Sequence, residues 1–163
     1  MTREEKLDLI KKFESAYSAV DDMISKLPDE ALRFVPPIED AWSINDFLVH
    51  FLDADANLSF RIRGAVAEPG VAAPAWEEEA WHASLRYGET DGKRCLELAK
   101  GLRAFFGQTL RALVDEDWSK FFILHSTRGR MELADILATY RDHVAFHATL
   151  IKRNREAWAA RNG

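Results

Sequence analysis

Apolar residues recur at helical spacing in four blocks of the chain, each more than 20 residues long. In the first, TREEKLDLIKKFESAYSAVDDMISKL, the stripe is Leu7, Ile10, Phe13, Tyr17, Val20 and Ile24. Thr2 with Glu5 makes a capping box at its start, and Pro28 stops it. Pro36 and Pro37 in the following PDEALRFVPPIEDAW predict a loop without regular structure. Ser43 caps the second block, SINDFLVHFLDADANLSFRIRGAV, with Asp46 in its first turn. Ile44, Phe47, Phe51, Ala54, Leu58 and Ile62 form its stripe, and Trp42 staples its start. The third block runs from about Thr90 to Val114, with Leu96, Leu102, Phe105, Phe106, Leu110 and Leu113 apolar. The fourth runs from about Met131 to Ala159, with Leu133, Ile136, Leu137, Tyr140, Val144 and Ile151 in one sector of roughly 100°. Residues 65–89 are irregular, broken by Pro69-Gly70, Pro74 and Gly88, with WEEEAWHASLRY as one short helix. SKFFILHS reads as a brief strand or an extended connection.

Four such stripes are buried economically in an all-α four-helix bundle, a single domain over 1–163. Helices 1 and 2 are joined by about 15 residues and helices 2 and 3 by about 25. The second link is long enough to travel the length of a bundle, so helices 2 and 3 need not be antiparallel neighbours. Periodicity leaves the topology open.

Composition narrows the function classes. With 47% hydrophobic and 30% charged residues the chain is an ordinary globular protein. A net charge of -5 argues against nucleic acid as a partner. No run of about 18 apolar residues exists, so no membrane span is expected. MTREEKLDLIKK lacks the apolar centre of a signal peptide, and the single Cys95 forms no intrachain disulfide, so a cytoplasmic protein is expected.

The candidate chemistry lies in DHVAFH. His147 falls in the middle of the fourth helix's buried sector and His143 at its edge, about 5–6 Å apart at Cβ, which lets both rings reach one metal ion. His50 flanks the stripe of the second helix and is the candidate third ligand. Asp46 or Asp53, one turn to either side, is expected to accept its second ring N–H. Three neutral imidazoles with an open fourth position is how catalytic zinc sites are built. The competing reading is of core histidines with hydrogen-bond partners. His125, before STRGR, and Tyr140, one turn before His143, are candidate pocket residues; a loop histidine and a core tyrosine are the alternatives. His82 is read as surface or lid, Glu79-x-x-His82 as chance, and Trp76 and Trp81 as packing the crossover onto the bundle rather than as a lid. A His-Glu-x-x-His zincin is excluded because Val144 follows His143, and no Gly-rich phosphate loop is present.

AWSINDFLVHFLDAD (Ala41 to Asp55) and GRMELADILATYRDHVAFH (Gly129 to His147) resemble the two motif helices of the DinB superfamily of metal-binding four-helix bundles. The resemblance covers almost the whole chain. It implies a metal triad at His50, His143 and His147, a crossover between helices 2 and 3, and a homodimer. It implies zinc, nickel or another divalent ion, since imidazole suits several. Characterised members lean towards thiol S-transfer to small electrophiles, with bacillithiol or mycothiol as a low-molecular-weight thiol cofactor; some are hydrolases. The expectation is therefore a metal-dependent enzyme acting on a small-molecule substrate by thiol transfer or hydrolysis. The alternative is a non-catalytic dimeric stress-response or ligand-binding protein with a structural or vestigial metal. Four protein ligands closing the site would be its signature.

Overall fold

The computed structural model describes residues 1–162. Its long helices are α1 (Arg3–Glu14) with α2 (Ser18–Ile24), α4 (Ile44–Ala67), α6 (Gly92–Ala112) and α7 (Leu133–Asn162). The Thr2–Glu5 capping box forms as expected. The first block is not one helix, however: it tightens into a 3-10 turn over Ser15–Tyr17 between α1 and α2. The break follows Phe13, whose carbonyl accepts from the Arg103 guanidinium. The proline-rich loop also holds more structure than expected. Pro28 caps a short helix, α3 (Asp29–Arg33), whose Ala31 and Leu32 are buried.

Polar contacts at several heights give the helix directions. Asn45 bonds Gly92 and Asp55 bonds Arg103, so α4 and α6 run parallel. Lys6 reaches the Val114 carbonyl and Lys100 pairs with Asp21, so the first helical pair runs antiparallel to α6. Trp42 meets Asn154 and Arg61 meets Tyr140, so α7 runs antiparallel to α4. The bundle is up-down-down-up, and the parallel middle pair requires the long crossover expected of the second link.

That crossover carries β1 (Val71–Ala73) and α5 (Glu78–Ser84). β1 pairs in parallel with β2 (Phe122–His125), which pairs antiparallel with β3 (Gly129–Glu132). The SKFFILHS segment therefore contains a strand, and a three-stranded sheet supplements the expected all-α architecture. Gly129 turns the hairpin with φ of +70°. At the other end of the crossover Asn45 donates to the carbonyls of Tyr87 and Thr90 and accepts from Gly92 N. A Cβ at Gly92 would lie 2.7 Å from the Asn45 amide oxygen, so only glycine lets α6 start there.

The apolar stripes meet as expected, with two corrections on α6. Phe105 is exposed, and the inward position is taken by Arg103, which is fully buried. Arg103 forms a two-pronged ion pair with the equally buried Asp55, at 2.7 and 2.9 Å. Burial works against the guanidinium charge, but the charges and hydrogen bonds of Asp55 and Tyr17 together hold the Arg103 pKa above its ordinary value. No helix among the described residues is long and apolar enough to cross a membrane.

Removing one partner of this pair leaves an unpaired buried charge. Asp55→Ala is expected to lose about 3–5 kcal/mol in urea unfolding. The double variant Asp55→Leu/Arg103→Leu should lose much less than the sum of the two single changes, a coupling read directly from the double-mutant cycle.

Candidate metal centre

Two helices supply three converging imidazoles. His50 lies about two turns into α4, whose start is fixed by the Ser43–Asp46 capping box. His143 and His147 stand one turn apart on α7. The Nε2 atom of His143 is 2.9 Å from Nε2 of His50 and 3.0 Å from Nε2 of His147. Glu78, on α5, places Oε2 3.5 Å from His50 Nε2. The four donor atoms lie within 4.8 Å of one another.

Burial holds all three rings neutral. Desolvation, with smaller contributions from His147 and His82, lowers the His50 pKa from 6.5 to about 3. Desolvation and the two partner rings lower His143 to about 2. Desolvation alone lowers His147 to about 4. At neutral pH the site therefore presents uncharged nitrogens aimed at one point, the protonation state in which imidazole ligates a metal. The donor set, three imidazoles and a carboxylate, fits a divalent ion such as zinc, nickel, copper or iron and does not select among them.

Apart from the Nε2 contacts among themselves, the rings are held by aromatic packing. Trp76 stacks on His50 at 5.3 Å and 22°, and Trp42 meets its edge at 5.4 Å. Phe47 and Phe146 pack on His147 at 5.3 and 5.1 Å. The Nδ1 atoms of His50, His143 and His147 are buried and have no hydrogen-bond partner. The expectation that Asp46 or Asp53 accepts from His50 is thus corrected. Asp46 Oδ2 takes the backbone N–H and hydroxyl of Ser43 at 2.9 and 2.7 Å, and its Oδ1 is buried without a partner. Asp53 accepts from the Tyr87 hydroxyl at 2.5 Å.

A cavity of about 560 Å³ opens beside His143, and both His125 and Tyr140 line it. Tyr140 is also core, 5% exposed, and its hydroxyl accepts from Arg61 at 2.6 Å. The tryptophan-rich crossover departs from its reading as mere packing: Trp76 covers His50. His82 stacks on Trp42 at 4.4 Å instead of lying free at the surface. Glu79 accepts from Trp42 Nε1 at 3.3 Å and is not in the donor cluster. Glu78 is the residue that spacing did not find. Its one signal is its place between Trp76 and Trp81, which anchor α5 over the triad.

A family model described as the DinB superfamily matches residues 12–151. YfiT of Bacillus subtilis strain 168, named as a candidate metal-dependent hydrolase, is 23% identical over 163 residues, across 98% of this chain and 90% of its own. The solved structure of YfiT from Bacillus subtilis, described as a four-helix bundle of unusual topology, superposes with a TM-score of 0.85 at 21% identity. It covers 98% of this chain and 90% of its own.

The depressed imidazoles carry a consequence for stability. In the unfolded chain each ring takes up a proton near pH 6.5, whereas in the fold it resists protonation down to about pH 4 or below. Protons therefore favour the unfolded chain in that window, and stability falls as pH is lowered through it. Chelator-treated protein is expected to lose on the order of 1–2 kcal/mol per ring between pH 6.5 and 5. His143→Gln should show a shallower loss, read from urea midpoints across the pH series.

Proposed function

The chain belongs to the DinB superfamily, and from that premise we propose that it is a metal-dependent hydrolase of a small-molecule substrate. His50, His143 and His147 are the proposed ligands and Glu78 the proton acceptor. The observation that carries the reading is the meeting of three neutral Nε2 atoms with one carboxylate that belongs to a different, looser element. When bound there, a divalent ion supplies Lewis acidity, which acidifies water and polarises a carbonyl or similar group.

The chain's own residues do the rest. The three imidazoles donate their lone pairs without first losing a proton at neutral pH. Desolvation, reinforced by Glu79 and Glu77, raises the Glu78 pKa above its ordinary value and makes it a better base. Its Oε2 is placed to hold the proton that an attacking water gives up and to return it to the leaving group. Trp76, stacked on His50, keeps bulk water off that side of the triad. Glu78 also favours hydrolysis over thiol transfer: water must lose its proton to a base as it attacks, while a thiol held as thiolate needs no such group.

A second reading has its own support. If Glu78 is a fourth ligand, the site is closed, as in a non-catalytic binder. Against closure, Glu78 is half exposed and sits on a seven-residue helix within the crossover, and its oxygen stands farther from His50 than His143 does.

Elemental analysis separates these readings. Wild type purified without chelators is expected to carry about one divalent ion per chain and His147→Ala to lose it. Glu78→Gln is expected to keep the ion and lose hydrolysis of ester and amide panels by about 10²–10⁴-fold. Loss of the ion in Glu78→Gln would assign the closed, four-ligand site instead.

A further inference from the structure

The cavity beside His143 is also lined by cations that the triad does not use. Arg61 and Arg128 both line it, and neither pairs with a carboxylate among the described residues. Arg61 is anchored: its guanidinium donates to the Tyr140 hydroxyl at 2.6 Å and to the Pro74 carbonyl at 2.9 Å. It thus holds its charge one tyrosine ring from the triad, the Tyr140 and His143 ring centres being 6.3 Å apart. Arg128 is exposed at the hairpin between β2 and β3 and makes no hydrogen bond among the described residues.

His125 adds a donor. Its Nδ1 accepts from the Thr127 backbone N–H at 3.3 Å, so the neutral ring carries its proton on Nε2. That Nε2 bonds no other described residue. Burial, and then the charges of Arg61 and Arg128, hold the His125 pKa below its ordinary value. Two carboxylates also line the cavity. Asp142 is engaged by Arg141 at 2.7 Å, and Glu78 lies at the triad end. The arginine end is therefore left with a positive excess. Trp76, Met131 and Phe146 add apolar surface to the cavity lining.

We propose that this end of the cavity is an oxyanion subsite, and that the substrate is a small organic acid or phosphate ester whose anionic group is gripped by Arg61, Arg128 and His125 Nε2. The assignment deepens the hydrolase reading and rests on it for where the scissile group lies, against the triad. Two guanidinium forks suit the planar or tetrahedral oxygens of a carboxylate or phosphate, and the apolar wall suits the body that joins this group to the reacting centre.

The test is calorimetric titration of chelator-treated full-length protein with 3-phenylpropionate, phenyl phosphate and the uncharged 3-phenylpropanamide. Metal-free protein is used so that neither anion can bind an ion at the triad. At least one anion is expected to bind about tenfold or more tightly than the amide, and the preference to vanish in Arg128→Gln. Arg128 has no hydrogen-bond or ion-pair partner to lose among the described residues, so the variant should fold with an unchanged Tm. The tighter of the two anions identifies the source of the oxyanion. Equal binding of amide and anions, no binding by either anion, or a preference that survives both Arg128→Gln and Arg61→Gln would overturn the subsite. Zinc uptake by the same samples reports on the triad separately: an anion preference without zinc uptake would sink the hydrolase reading and leave the subsite standing.

Discussion

The buried Asp55–Arg103 pair is the contact around which the bundle is arranged. A carboxylate and a guanidinium with no exposure are tolerable only when every donor and acceptor is used. Here Asp55 receives two bonds from Arg103 and one from the Tyr17 hydroxyl at 2.9 Å. Arg103 gives two further bonds to the carbonyls of Phe13 and Tyr140 and stacks on the Phe13 and Tyr17 rings. All four long helical segments thus meet at one charge. A slip of one turn between any two would strand that charge, so the pair sets register more firmly than apolar contacts can.

Register is what the site depends on. Asp55 lies five residues from His50 on α4, and Tyr140 lies three residues from His143 on α7. Fixing Asp55 and Tyr140 against the same guanidinium brings His50 and His143 to the same height, where their Nε2 atoms approach to 2.9 Å. Above and below this layer the apolar clusters separate. One gathers Phe13, Leu58, Phe106 and Ile123, the other Phe47, Leu48, Phe51 and Val144. The triad borders the second, which explains why its rings are oriented by aromatic neighbours and why burial depresses their basicity.

The crossover completes what the helices begin. A parallel α4–α6 pair obliges the chain to return along the bundle, and the returning segment passes over the triad. Its β1 strand is pinned to the β2–β3 hairpin and its far end to Asn45. Between these anchors it delivers Trp76 and Glu78 to the imidazole triad, while the hairpin delivers His125 and Arg128 to the cavity. One topological requirement thus supplies the cover and the carboxylate, while Arg61 of α4 and Arg128 of the hairpin supply the cationic lining.

Local order was legible in the residues. The capping box at Thr2, the cap at Ser43, the helical stripes and the i,i+4 spacing of His143 and His147 depend on neighbours within a turn or two, and the sequence states those directly. It also carried the family resemblance, and with it the pairing of His50 with the α7 histidines. Several features were not legible. Arg103 hides in the stripe of α6 because burial of a charge makes sense only beside Asp55, 48 residues away. Asp46 and Asp53 looked like partners for His50 because a helical wheel shows adjacency but not competition, and Ser43 and Tyr87 claim them first. Glu78, Arg61 and Arg128 come from a crossover, a helix flank and a hairpin that share no periodicity. The sequence by itself determined which segments are helices and which faces are buried, since these follow from short-range spacing. Only the tertiary structure decided which charges are paired and which are left to meet a ligand, because pairing is a matter of distance in space.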